Sequence, residues 1–122
     1  MRVLITGKEA ALCNALKTLL QTRPGIEITG TVADTEELFV QVKNEAPDLL
    51  LLDEELSQEL VEDVIVPLQQ FDPCPAVMVL GGRAEARQAY LDAGAVAFIS
   101  KSDPPKSLLT AIEEIRLRRN RV

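Results

Sequence analysis

The chain has 122 residues, of which 47% are hydrophobic, 26% charged and only 3% aromatic. This length and composition predict one globular domain with an aliphatic core and exclude a disordered chain. The net charge of −6 argues against binding of a nucleic-acid backbone by this chain alone, since such binding needs clustered Lys and Arg.

The remaining composition indicates a cytoplasmic protein. No apolar run approaches the roughly 18 residues of a membrane span, and the first residues open into a strand pattern without the shape of a signal peptide. There is no histidine, and Cys13 and Cys74 have no metal-like spacing. We therefore expect two structural thiols in a reducing compartment, no zinc site and no membrane contact.

The first third of the chain predicts two strand–helix units. Residues 2–6 form an apolar, β-branched run. Leucines then recur at helical spacing between 12 and 20, and the segment 23–25 ends this predicted helix. Residues 26–32 alternate in polarity, which is typical of a strand near a sheet edge. Either Asp34 or Thr35 can cap the helix that follows.

Residues 47–55 contain four consecutive leucines, 49–52, followed by Asp53. A strand without polar alternation is buried on both faces, as in a parallel sheet covered by helices. Asp53 therefore lies at the carboxyl edge of the sheet, where ligands bind in open α/β folds.

The second half of the chain predicts three helices and two strands. A helix is expected from about Ser57 to before Phe71, and Pro67 should end or kink it. The other expected elements are a buried strand at 75–80, a helix at 84–93 stopped by Gly94, a strand at 95–99, and a final helix after two prolines. Five strands alternating with five helices predict a three-layer α/β sandwich of the flavodoxin-like (βα)5 type, with a parallel sheet ordered 2-1-3-4-5.

Several short segments stand out by their order and spacing: Arg-Val-Leu-Ile at 2–5, Arg-Pro-Gly-Ile-Glu at 23–27, Pro-Asp and four leucines before Asp53, Ala-Gly-Ala at 93–95, Phe98, Lys101 and residues 108–112. In these segments the chain resembles the receiver domains of bacterial two-component response regulators, the CheY-like superfamily. The resemblance implies a receiver-like domain over residues 1–119, with 120–122 as a tail or the start of a linker to an output domain.

The resemblance also implies roles for individual residues. Asp53 takes the phosphoacceptor position, Lys101 the position that contacts the phosphoryl group, and Phe98 that of an aromatic switch. Two other parts of the pattern fail. Gly7 and Lys8 fall on the acidic pair that holds Mg2+, and the hydroxyl position falls on Leu80 or Gly81.

These departures predict an atypical receiver, or pseudo-receiver. Mg2+ needs hard oxygen ligands, and phosphoryl transfer depends on neutralising developing charge, so we expect weak or absent Mg2+ binding and phosphorylation. A Lys8–Asp53–Lys101 cluster could occupy the place of metal and phosphate. Alternatively, Glu9, Glu54 and Glu55 could swing inward and restore a metal site.

The leading functional interpretation is a non-enzymatic signalling module, with at most residual autophosphorylation at Asp53. It would contact a sensor kinase, an output domain or a second copy through the face of the fourth helix, fifth strand and fifth helix. The main alternative is a phosphorylatable receiver that controls a downstream DNA-binding domain, since the 23–27 segment is most similar to such receivers. Nucleic acid would be reached only through that domain.

Simpler interpretations remain open for several residues. Asp53 could be a leftover surface carboxylate, Lys101 its salt-bridge partner and Phe98 a core residue. The basic segment 116–121 fits the end of the last helix better than a nucleic-acid patch. An unrelated flavodoxin-like enzyme or cofactor binder is disfavoured, because the chain has few aromatics and no nucleophile–base pair.

Overall fold

A computed structural model describes residues 1–119 as a five-stranded parallel sheet with the strand order β2-β1-β3-β4-β5. This confirms the predicted fold and strand order. The strands are β1 Arg2–Thr6, β2 Glu27–Val32, β3 Leu49–Asp53, β4 Ala76–Gly81 and β5 Ala97–Ser100. The helices are α1 Ala10–Gln21, α2 Thr35–Glu45, α3 Val61–Leu68, α4 Arg87–Ala93 and α5 Pro105–Arg119.

Strand β3 lies at the centre of the sheet, and each of its five residues is buried. Leu50 and Leu52 pack into one core cluster with side chains of α2, α3 and α4. Leu49 and Leu51 pack into a second cluster with side chains of α1 and α5. The leucine run is thus explained by helices covering both faces of the sheet.

Helix α2 is capped by Asp34, whose carboxylate accepts a hydrogen bond from the Glu37 N–H at 2.8 Å. Thr35, the other candidate, is the first residue of the helix, and its buried hydroxyl has no hydrogen-bond partner within residues 1–119. The cap prediction is therefore confirmed for Asp34.

We expect Asp34→Ala to lower the free energy of unfolding by about 1 kcal/mol, because it leaves an N–H of the first helical turn without its acceptor. Urea denaturation followed by circular dichroism measures the change. Thr35→Val is the matched control and should cause no loss, since it removes a hydroxyl that bonds nothing. Equal losses in both variants would argue against the cap.

Helix α3 begins at Val61, so the prediction that it starts near Ser57 is wrong. The Ser57 hydroxyl accepts a hydrogen bond from the Glu59 N–H at 3.1 Å, which holds this segment in a local turn. Pro67 lies in the last turn of α3, and the helix ends at Leu68, as predicted.

The predicted helix at 84–93 is only partly α-helical. A 3-10 turn spans Ala84–Ala86, and α4 begins at Arg87. Gly94 ends α4 with a φ of 123°, and a Cβ there would lie 2.6 Å from the Gln69 side chain. Both the backbone conformation and the close approach of Gln69 thus favour glycine.

The basic segment at the end of the chain continues α5 as far as Arg119, within the range that the structure describes. Arg119 pairs with Asp48 at 2.9 Å, and Arg116 pairs with Glu113 at 3.2 Å. These contacts agree with the interpretation as a helix end. The predicted tail, 120–122, lies outside the described residues.

Cys13 is buried, Cys74 is exposed, and both are free thiols. Among residues 1–119, no helix combines the length and the hydropathy needed to cross a membrane.

Candidate functional site

Asp53 is the last residue of β3 and is only 6% exposed. Its backbone N–H donates to the Thr6 hydroxyl at 2.9 Å, and that hydroxyl donates to the Leu51 carbonyl at 3.0 Å. The interpretation of Asp53 as a surface carboxylate is therefore wrong. Thr6 was missed in the sequence because a threonine in an apolar strand resembles any other β-branched residue.

The Asp53 carboxylate oxygen Oδ1 accepts two hydrogen bonds. One comes from Lys101 Nζ at 2.9 Å and the other from the Glu55 N–H at 2.8 Å. Burial alone lowers the pKa of Lys101, but the hydrogen bond and the charge of Asp53 outweigh it and raise that pKa. The predicted Lys101–Asp53 salt bridge is thus present.

Lys8 is exposed and forms no ion pair with a carboxylate of residues 1–119, so the interpretation of a Lys8–Asp53–Lys101 cluster is wrong. Lys8 sits in a bend after β1. Its ammonium group keeps its hydration there, whereas entering the buried site would cost desolvation. The cluster therefore reduces to Asp53 and Lys101, with Glu55 at 3.6 Å from Lys101.

Gly7 lies beside Asp53, and its correspondence to the first acidic position stays a prediction. A Cβ built on Gly7 would lie 3.6 Å from Asp53 Oδ2 and only 2.9 Å from Cys13 Sγ. The Cys13 thiol therefore occupies part of the space that a side chain at position 7 would need. Burial raises the pKa of this thiol, and the charges of Asp53 and Glu9 raise it further, which favours the neutral form.

The predicted hydroxyl position holds no hydroxyl group. Leu80 is buried in β4 in register with Asp53, and β4 ends at Gly81. The space over Gly81 is filled by Glu54, because a Cβ on Gly81 would lie 2.6 Å from Glu54 Cδ. The Glu54 carboxylate accepts hydrogen bonds from the Gly82 N–H at 3.2 Å and from the Tyr90 hydroxyl at 2.7 Å.

Tyr90 was missed in the sequence analysis, although it is the only tyrosine in the chain. Its side chain is 1% exposed. Burial is the main cause that raises the pKa of its hydroxyl, and the hydrogen bond to Glu54 is the second. Its ring lies against Phe98, with 5.9 Å between the centroids. Phe98 is partly buried against the core cluster, which supports its interpretation as a core residue, and its switch role stays a prediction.

A cleft of about 710 Å3 opens at this edge of the sheet. Three cationic side chains, three carboxylates and four other residues line it: Lys8, Glu9, Leu12, Glu54, Glu55, Ser57, Gln58, Gly82, Arg83 and Lys101. No group of three or more Cys, Asp or Glu side chains within residues 1–119 is arranged to hold a metal ion. Glu54, one of the acids expected to swing inward, is held by Tyr90 and Gly82 instead.

A sequence model of the response regulator receiver domain matches residues 3–113. The chain belongs to this family. Receiver domains are signalling modules that interact with kinases and output domains, and they are generally not enzymes. The alternative of an unrelated flavodoxin-like enzyme is thereby excluded.

Comparisons with individual proteins agree with the family. This receiver domain is 29% identical over 119 residues to a protein-glutamate methylesterase/protein-glutamine glutaminase of Halalkalibacterium halodurans, covering 95% of the chain and 34% of that protein. It thus spans about a third of this curated relative. A CheY-like receiver domain of Methanospirillum hungatei superposes with a TM-score of 0.84 at 26% identity, covering 99% of this chain and 98% of that one.

The response regulatory domain of protein mrkE from Klebsiella pneumoniae has the same fold. Its TM-score is 0.89 at 17% identity, with 100% of both chains covered.

Proposed function

We propose that this receiver domain is atypical and acts mainly through protein–protein contacts, with weak or no Mg2+-dependent phosphorylation. The observation that carries the proposal is the set of groups next to the Asp53 carboxylate. Its partner is the Lys101 ammonium group, and the neighbour at the first acidic position is Gly7, with Cys13 in the adjoining space.

The donor set around Asp53 does not fit Mg2+. Gly7 has no side-chain ligand, the Lys101 ammonium group already pairs with Asp53, and the Cys13 thiol is a soft ligand, whereas Mg2+ prefers several oxygen ligands in near-octahedral geometry. Asp53 is also buried, and its Oδ1 is occupied by hydrogen bonds from Lys101 and the Glu55 N–H. Both features disfavour attack of the carboxylate on a phosphodonor.

The face formed by α4, β5 and α5 is the proposed contact surface. Val96, between α4 and β5, is 41% exposed and apolar, which suits a protein contact. Its partner would be a sensor kinase, an output domain or a second copy in the cytoplasm. Arg116 and Arg119 are engaged in ion pairs, and the net charge of the chain is −6. Nucleic acid would therefore be bound only by a downstream domain.

Two classes of output domain are consistent with this proposal. The resemblance at residues 23–27 favours a DNA-binding domain, whereas the relative from Halalkalibacterium halodurans carries the name of a methylesterase/glutaminase.

One observation favours the alternative of a phosphorylatable receiver. The hydrogen bonds of the Asp53 carboxylate within residues 1–119 all go to Oδ1, so Oδ2 keeps its lone pairs for another partner. Oδ2 would be the nucleophile in such a reaction.

Intact-mass measurement after incubation with acetyl phosphate and Mg2+ distinguishes the two functions. We expect no mass increase by one phosphoryl group. The positions beside Asp53 lack the carboxylates that would hold a metal ion, and the metal ion would neutralise the charge that develops during phosphoryl transfer. The Asp53→Asn variant is the control. An adduct that forms on the natural chain and disappears in Asp53→Asn would overturn the proposal and support the phosphorylatable receiver.

A further inference from the structure

Glu54 follows Asp53 directly, but its side chain turns to a different part of the structure. One carboxylate oxygen accepts the Gly82 N–H at 3.2 Å, and the other accepts the Tyr90 hydroxyl at 2.7 Å. Its neighbour Glu55 has a side chain that is 76% exposed. Glu54 thus accepts two hydrogen bonds from fixed groups, whereas the exposed Glu55 carboxylate lies 3.6 Å from the Lys101 ammonium group.

Gly81 and Glu54 are sterically complementary. A Cβ on Gly81 would lie 2.6 Å from Cδ, 2.7 Å from Oε2 and 2.9 Å from Cβ of Glu54. The absence of a side chain at position 81 therefore makes room for the carboxylate. The Cβ position of Gly82, in contrast, has nothing within 4 Å.

Tyr90 connects Glu54 to α4 and to the core. The ring is 1% exposed, lies in the core cluster and contacts Phe98 of β5. A hydrogen bond to an ionised carboxylate is stronger than one between neutral groups. The hydroxyl of Tyr90 is thus the point at which the end of β3 holds α4.

We propose that Glu54 is a positioning residue that fixes α4 against the carboxyl edge of the sheet through Tyr90, without any group bound at Asp53. The inference rests on the proposed function only in giving α4 a signalling role, since α4 belongs to the proposed contact face.

Hydrogen exchange of the α4 amides tests the proposal on the whole chain. Glu54→Ala should accelerate exchange over residues 87–93 about tenfold, the effect of losing one hydrogen bond to a charged group. Gly81→Ala should do the same by displacing the carboxylate. Gly82→Ala and Glu55→Ala are the matched controls and should leave α4 exchange unchanged.

The single tyrosine supplies a second readout. Because the chain has one tyrosine and no tryptophan, the ultraviolet absorbance of phenolate reports Tyr90 alone. In Glu54→Gln the phenolate should appear at lower pH than in the natural chain, because the negative charge that opposes its ionisation is gone.

The proposal is overturned if α4 exchange in Glu54→Ala and Gly81→Ala matches that in Gly82→Ala, or if the phenolate of Glu54→Gln appears at the same pH as in the natural chain. It is also overturned if exchange rises equally in all five helices. A phosphoryl adduct at Asp53 would defeat the proposed function while leaving these results in place, so the two failures are distinguishable.

Discussion

Gly7→Asp and Lys8→Asp, combined with Cys13→Ala, are expected to create Mg2+ binding that we propose to be weak or absent in the natural chain. The first two substitutions restore carboxylates at the positions aligned with the acidic pair, and a Cβ at position 7 lies 3.6 Å from Asp53 Oδ2. Three carboxylates at one edge of the sheet provide the hard oxygen ligands that Mg2+ requires. The third substitution removes the sulfur atom that lies 2.9 Å from that Cβ.

Isothermal titration with MgCl2 and amide NMR spectra would measure this gain. The double variant that retains Cys13 should bind about tenfold more weakly, because overpacking of about 1 kcal/mol or more opposes the new side chain. Cys13→Ala alone should bind no Mg2+. A folded triple variant without saturable binding would show that positions 7 and 8 do not correspond to the acidic pair.

Beryllofluoride with Mg2+ extends this test to the phosphoryl position. The amide spectrum of the natural chain should not change, whereas the triple variant should shift around Asp53 and Lys101. Large shifts in the natural chain around Asp53 and Phe98 would contradict the proposal of an atypical receiver.

Lys101→Met is expected to lower the free energy of unfolding by about 2 kcal/mol. Removing one partner of a fully buried pair costs about 3–5 kcal/mol, and exposed pairs contribute under about 1 kcal/mol. Here the Asp53 side chain is 7% exposed and that of Lys101 is 29% exposed, which places the loss between these limits. The substitution leaves the Asp53 carboxylate buried, and within residues 1–119 only the Glu55 N–H remains as a donor to it.

A double-mutant cycle followed by urea denaturation separates the energy of the ion pair from the cost of leaving the Asp53 charge buried without a partner. Asp53→Asn combined with Lys101→Met should be more stable than Lys101→Met alone, because the uncompensated charge is gone. Lys106→Met is the control. Lys106 is exposed and forms no ion pair within residues 1–119, so its loss should stay below about 0.5 kcal/mol. Equal losses at 101 and 106 would exclude a stabilising pair.

The pair also predicts a dependence on pH. The folded-state pKa of Lys101 is raised above its usual 10.5, so the charged form favours folding. This contribution is complete below about pH 10, near the pKa of an unfolded lysine, and is lost as the pH rises through the higher folded-state value. The stability difference between the natural chain and Lys101→Met should therefore be constant around neutrality and shrink above pH 10.5.

Local patterns in the sequence were sufficient to predict the fold and part of the site. The leucines of β3 show no polar alternation, which requires helices on both faces, and Pro67, Gly94 and Asp34 act through their own backbone or their nearest neighbours. The edge position of Asp53 followed from the end of the leucine run. The approach of Lys101 followed from the family resemblance, since 48 residues separate the two in the chain.

Contacts between distant elements decided the rest. The hydrogen bond between Glu54 and Tyr90 joins residues that are 36 positions apart in the chain, and the one between the Asp53 N–H and Thr6 joins residues 47 positions apart. Nothing in the sequence distinguishes Glu54 from Glu55, since both follow the same strand. Only the packed structure orients Glu54 toward a glycine that leaves it room and a buried hydroxyl, while hydration leaves Lys8 outside the site. The sequence placed the carboxylate of Asp53 at the sheet edge, and tertiary packing decided which charged groups reach it.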